Sequence, residues 1–282
     1  MSARIKRTEE QRGSIFRRVL VGIDGSDESR EAARQAAILV DGELMLLASY
    51  DVAPAIGGTG VGVPYYHDEE LQRAAAADAL ERVGETAAVG SSTRKVVLGR
   101  AADALISEVE REQVTLLVVG SHGLGRVAGF VLGSTANEVI RKLPCSVLIA
   151  RRNTSDEFPN KVVVGVDGSP ESASAYAVAG QLSERFNAEL SPVIAGGGKG
   201  VNRPRIDTFV ESRSNESPDE PVAALVAAAA EADLLVVGSR GLHGLKALGS
   251  VSERVAHQSD SSVLIVREPS WQRSDAVSAD TQ

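Results

Sequence analysis

Three segments of this chain occur twice, in the same order. Arg18-Val-Leu-Val-Gly-Ile-Asp-Gly-Ser26 returns as Val162-Val-Val-Gly-Val-Asp-Gly-Ser169. Leu116-Leu-Val-Val-Gly-Ser-His-Gly123 returns as Leu234-Leu-Val-Val-Gly-Ser-Arg-Gly241, and Ser146-Val-Leu-Ile-Ala-Arg151 as Ser262-Val-Leu-Ile-Val-Arg267. A period as long as a small domain marks a duplication rather than a solenoid. The 282 residues therefore divide into two related units, 14–152 and 160–268, joined by a polar stretch around Pro159.

Within each unit, short apolar runs rich in branched residues alternate with amphipathic stretches. That pattern predicts an α/β fold, an open parallel sheet with helices on both faces. In the first unit, strands are expected at 19–23, 43–50, 96–98, 116–119 and 147–150. Helices are expected from the cap at Ser26 to about residue 40, and over 68–83, 102–111 and 134–142. The second unit is abridged. Ala195-Gly-Gly-Gly-Lys-Gly200 stands where the first unit has a long loop and a helix, and glycine is costly in a helix interior. One helix is expected to be missing there, with a third strand at 206–210 and a helix at 222–231. The tails, 1–13 and 269–282, have the composition of disordered chain.

Both fifth strands are apolar and branched, and a sheet edge leaves a row of unpaired amides and carbonyls. The expectation is that the two strands cover each other within one chain, around a pseudo-two-fold axis. Self-association of that fused unit stays open.

The net charge of -8 argues against nucleic acid or an anionic membrane surface as partner. It leaves a nucleotide open, because backbone amides can hold phosphates without side-chain charge. A single cysteine, Cys145, forbids an intrachain disulfide, no run has the length of a membrane span, and the N-terminus has no apolar core. A cytoplasmic location is expected.

The segment with the most chemistry is Gly120-Ser-His-Gly-Leu-Gly-Arg-Val-Ala-Gly-Phe-Val-Leu-Gly-Ser-Thr135, between a strand and a helix. In open parallel sheets, ligands bind beyond the carboxyl ends of the strands. Gly120 and Gly123 allow positive φ and let a ligand approach the backbone closely. Gly133, Ser134 and Thr135 fall at a helix N-terminus, where free amides and the dipole attract anions. Together they describe a phosphate cradle. The alternative for each residue is plain: glycines that make tight turns, and a serine that caps a helix.

The spacing Gly120, Gly123 and then, after nine residues, Gly133-Ser134 is similar to the nucleotide signature of ATP-binding universal stress proteins. Val21-Gly-Ile-Asp24 and Pro144-Cys-Ser-Val-Leu-Ile149 resemble that family's first and fifth strands. The likeness covers about residues 17–267, and the tandem layout resembles the actinobacterial type. It implies ATP, with or without Mg2+, as ligand. Asp24 would then receive the ribose hydroxyls or the adenine edge, the alternative being an acid that leads and caps the next helix. Gly22, Ile23 and Ser49 would line the adenine slot, Ser49 through its backbone, although the family often carries an apolar residue there. His122 and Arg126 would touch phosphates, unless His122 is merely an exposed loop residue.

The second unit departs from the pattern. Only seven residues separate Gly241 from Gly249-Ser250, so the loop cannot trace the same path. A weak second site would use Gly165, Asp167, Gly238, Arg240, Gly241, Gly249, Ser250 and Val251; the alternative is a degenerate copy kept as a packing partner.

The chain lacks a Gly-x-x-x-x-Gly-Lys-Ser/Thr loop, a Gly-x-Ser-x-Gly elbow and any Cys/His set with zinc spacing. No base is visible to drive phosphoryl transfer. Binding is favoured over catalysis: a nucleotide-dependent regulatory factor with an unidentified protein partner. A slow ATP hydrolase or adenylyl transferase, and a scaffold without ligand, are the competing readings.

Overall fold

The computed structural model describes residues 14–51, 69–85, 91–123, 132–152, 157–194, 221–239 and 251–268. The tails, the third strand at 206–210 and the omitted helix of the second half lie outside the described residues.

Period-two alternation along the strands sets the layers. In β1 (Arg18–Ile23), Val19, Val21 and Ile23 pack on one face of the sheet and Leu20 on the other. The first half continues with α1 (Asp27–Leu39), β2 (Glu43–Tyr50), α2 (Glu69–Gly84), β3 (Thr93–Leu98), α3 (Ala101–Glu112), β4 (Leu116–Gly120), α4 (Ser134–Lys142) and β5 (Ser146–Ala150). The second half holds β6 (Lys161–Val166), α5 (Pro170–Phe186), β7 (Glu189–Ile194), α6 (Pro221–Ala229), β8 (Leu234–Gly238), α7 (Val251–Gln258) and β9 (Ser262–Val266). β3 is three residues longer than expected, because an edge strand tolerates the polar Thr93-Arg94-Lys95 at its start.

The strands form one nine-stranded sheet in the order β3-β2-β1-β4-β5-β9-β8-β6-β7. Within each half the pairing is parallel, and at the seam β5 and β9 run antiparallel with Leu148 opposite Leu264. The expected pairing of the fifth strands is thus present. α1, α2 and α5 cover one face, and α3, α4, α6 and α7 the other, and both apolar clusters run uninterrupted across the seam.

The seam carries reciprocal polar ties. Ser146 Oγ donates to Arg267 O and accepts from Arg267 N, at 3.1 Å each; Ser262 Oγ accepts from Arg151 N at 3.0 Å and donates to Arg151 O at 3.3 Å. The guanidinium of Arg151 donates to Ala256 O at 2.5 Å, and that of Arg267 to Leu143 O at 2.6 Å and to Ile140 O. Each arginine thus closes the C-terminal turn of the other half's helix, where unpaired carbonyls and the negative dipole end favour a cation. Burial pulls Arg151 down to about 10 and Arg267 in the same direction, leaving Arg151 cationic at neutral pH. Arg141 of α4 pairs with Glu253 of α7, and Arg185 of α5 reaches Asp41 and the last carbonyls of α1. The connection is less polar than its sequence suggests: Phe158 is buried in the shared core, with Arg34 over its ring.

Candidate functional site

In the first half, β1 lies between β2 and β4, and the chain crosses from β3 to the far side of β1 before entering β4. That reversal between β1 and β4 is the topological switch point, where the loops at the carboxyl ends diverge and leave a crevice. Asp24 follows β1 and the segment Gly120-Ser-His-Gly123 ends β4, so both stand at this crevice. The N-terminus of α4 completes it, because Gly133 N donates to Ser121 O at 2.9 Å.

Asp24 holds the residue that caps α1, Ser26, through one oxygen. Its Oδ1 accepts from Ser26 N at 3.0 Å and Ser26 Oγ at 2.5 Å, and Ser26 Oγ in turn accepts from Ser29 N in the first turn of α1. The other oxygen, Oδ2, faces Gly123, where a Cβ would stand 2.4 Å from it. The carboxylate that leads α1 and the second glycine of the β4 loop are therefore in contact across the crevice.

The glycines separate into distinct roles. Among the described glycines, positive φ occurs at Gly25, Gly99 and Gly168, not at Gly120 or Gly123, which corrects the conformational reason expected for those two. Gly120 is needed because the first turn of α1 lies on it: a Cβ would meet Glu28 Cβ at 2.9 Å and Glu28 C at 3.0 Å. Gly22 is packed more softly: Leu105 of α3 and Val119 approach the place of its side chain at 3.1 and 3.3 Å through side-chain ends that can shift. Gly133 is different. A Cβ there would find Ser121 O at 3.5 Å and His122 Cα at 3.6 Å, which is ordinary contact, so packing does not demand a glycine.

α4 begins without a side-chain cap. Its N-cap is Gly133, and Ser134, exposed at the first helical position, does not cap it. The first intrahelical bond is Asn137 N to Gly133 O at 3.0 Å. The amides of Ser134, Thr135 and Ala136 precede it and have no partner within the helix. By contrast, α1 and α5 are capped by Ser26 and Ser169.

His122 joins this cluster. Its Nδ1 is 3.0 Å from Ser121 Oγ, while its Nε2 is buried with no hydrogen-bond partner among the described residues. Ile23 is buried in the core, so it offers the crevice only backbone. Ser49 is half-buried near the end of β2, one residue beyond the pair Ile23–Ala48. Arg126 lies outside the described residues.

Two residues of this region were not anticipated. Ser121 holds His122 by its hydroxyl and Gly133 by its carbonyl. Asn137 donates to Leu132 O at 2.9 Å and keeps a buried Oδ1 without a partner. Asparagine inside a helix, where its side chain competes with the backbone, was the available signal for the second. Nothing in Gly-Ser-His-Gly marks the first.

The second half repeats the scaffold of the site. Asp167 Oδ1 accepts from Ser169 N at 3.0 Å and Ser169 Oγ at 2.5 Å. A Cβ on Gly165 would meet Leu225 at 3.0 Å, and one on Gly238 would meet Glu171 C and O at 2.5 Å. Ser239 differs from its counterpart Ser121: its hydroxyl is held by Arg267 Nε at 3.0 Å. Val251, exposed, opens α7. Arg240, Gly241, Gly249 and Ser250 lie outside the described residues.

The sequence profile of the Universal stress protein family matches residues 15–151 and 205–267. The chain belongs to the universal stress protein family. Universal stress protein Rv2005c of Mycobacterium tuberculosis is 30% identical over 289 residues, covering 89% of this chain and 97% of that one. Universal stress protein Rv2623 of the same organism is 30% identical over 291 residues, covering 89% and 96%. The crystal structure of a universal stress protein from Archaeoglobus fulgidus superposes with a TM-score of 0.67 at 18% identity, over 89% of this chain and 96% of that one. The tandem universal stress protein layout thus spans most of the chain, and no helix among the described residues is long and apolar enough to cross a membrane.

Proposed function

We propose that this universal stress protein is a nucleotide-dependent regulatory factor of the cytoplasm. Its two domains, 14–152 and 160–268, would take one ATP at the first and signal its occupancy to a protein partner. The observation that carries this reading is the convergence of Asp24, Gly123 and Gly133 at the switch point, beside an α4 N-terminus whose N-cap is a glycine without a capping side chain.

The residues fit the ligand. The amides of Ser134, Thr135 and Ala136, with the positive end of the dipole, favour phosphate oxygens, and the Ser134 hydroxyl adds a donor. The buried, unpartnered Nε2 of His122 would gain a polar partner. Asp24 Oδ2 can accept from a ribose hydroxyl, and the backbone of Gly22, Ile23 and Ser49 borders the base. Mg2+, where present, would travel with the phosphates. Bound ATP would supply a polyanion whose presence is itself the signal.

Heat-denaturing the purified chain and analysing the supernatant tests this. Adenine nucleotide is expected, and ATP added back should be recovered intact after hours. Accumulating ADP would favour the slow hydrolase. A supernatant without nucleotide, together with a melting temperature that ATP does not raise, would contradict binding, because a ligand of the native state alone must stabilise it.

A further inference from the structure

The helix that begins at the nucleotide crevice ends on an arginine from the other half. The guanidinium of Arg267 donates to Leu143 O at 2.6 Å and to Ile140 O at the C-terminus of α4, and its Nε donates to Ser239 Oγ at 3.0 Å. Ser239 is the first residue after β8, and its amide donates to Val266 O at 3.2 Å. That backbone bond has its mirror in Ser121 N to Ala150 O at 3.1 Å, but the side-chain bond does not. Arg151 holds the end of α7 through Ala256 O and Ser261 O, but Ser121, the counterpart of Ser239, has its hydroxyl taken by His122. One buried cation therefore links α4 to the base of the second half's loop, whereas the hydroxyl at the base of the first half's loop is held by His122.

Building on the proposed ATP site, we infer that Arg267 is a positioning residue for it, acting from the second half through α4. An anion at the N-terminus of a helix and a cation at its C-terminus both complement the same macrodipole. Both also fix the same rigid nine-residue element against the seam. Coupling of this kind is reciprocal: if Arg267 favours the position of α4 that binds phosphate, bound phosphate strengthens the hold on Arg267 and on Ser239. The abridged half then has a task that does not require a ligand of its own.

The test uses the full chain with ATP as the probe. Arg267→Lys keeps the charge but removes the fork and should weaken ATP severalfold. Arg151→Lys, an equivalent loss at the end of α7, should change affinity less than twofold. Equal weakening by both, or by neither, overturns the inference, since a merely structural role predicts equal effects. Should Arg267→Lys fail to fold, amide exchange on the unaltered chain decides. ATP should slow the amides of Leu143 and Ser239 but not that of Ser259, which stands at the matching end of α7. No change at Leu143 and Ser239, or the same slowing at Ser259, overturns it. If the unaltered chain binds no ATP, the site assignment itself falls, a separate result from binding without transmission.

Discussion

The two halves share a scaffold and differ in what is mounted on it. Asp24 and Asp167 make the same turn with Ser26 and Ser169. Gly22 and Gly165 admit a leucine from α3 and α6, and Gly120 and Gly238 admit the first turn of α1 and α5. Features present in both halves with the same close contacts are explained by packing. They need no ligand, however much they look like a nucleotide signature. The features confined to the first half are the nine-residue spacing before Gly133, the His122–Ser121 contact and the buried Nε2. In the second half the spacing is seven, and Arg267 takes the serine. The duplication thus shows which glycines packing alone explains.

The largest expected effect tests the seam that makes the halves comparable. Leu264, fully buried opposite Leu148, is a core residue of the whole sheet. Leu264→Ala should cost ~2–5 kcal/mol in denaturant unfolding. The loss should come as one transition, since both clusters cross the seam; two separated transitions would show that the halves unfold independently.

The next effect breaks the glycine comparison within the second half. Gly238→Ala forces a methyl against the backbone of Glu171, which cannot move aside, whereas Gly165→Ala meets the flexible end of Leu225. Overpacking of the first kind should cost ~1–3 kcal/mol, and the second distinctly less. Equal losses in a denaturant series would mean that the α5 contact is softer than its distances imply.

Gly133→Ala sharpens the comparison between packing and ligand. The fold has room for the methyl, and alanine at an N-cap costs under ~1 kcal/mol relative to glycine. Stability should therefore change little while ATP affinity falls about tenfold, equivalent to ~1.4 kcal/mol. Unchanged affinity would move the phosphates away from Gly133.

The smallest effect concerns Cys145, whose position in the second half is taken by Ser261. Burial pushes its thiol up to about 12 from an ordinary 9.0. A raised pKa means that the native state keeps the proton after the unfolded chain has lost it. This contribution to stability is intact below about pH 9 and is lost as the pH rises toward 12. At neutral pH a thiol reagent should label the chain only on unfolding; rapid labelling of the native protein would contradict that burial.

Much of the fold was legible because branched apolar runs, the Ser26 cap and the repeated segments all point to one alternating pattern. The β5–β9 seam was legible from two apolar edge strands that could satisfy each other. The site was legible as a place but less so in its parts. Gly120 and Gly123 stood out for a conformation they do not adopt, because sequence cannot separate a glycine demanded by φ from one demanded by a neighbouring helix. Asp24 holds Ser26 with one oxygen and faces Gly123 with the other, which a pattern of residue types cannot divide. The Arg267–Ser239 contact was invisible, since it joins residues 28 apart in sequence across β8 and β9 and has no mirror in the first half.

The central claim is that the duplication carries two scaffolds but one nucleotide site. A calorimetric titration of the nucleotide-free full chain with ATP tests it most directly. The account predicts saturation at a stoichiometry nearer one than two ATP per chain. Two equal, independent sites would show that the shorter loop after β8 still cradles a triphosphate, and would contradict the separation of the halves.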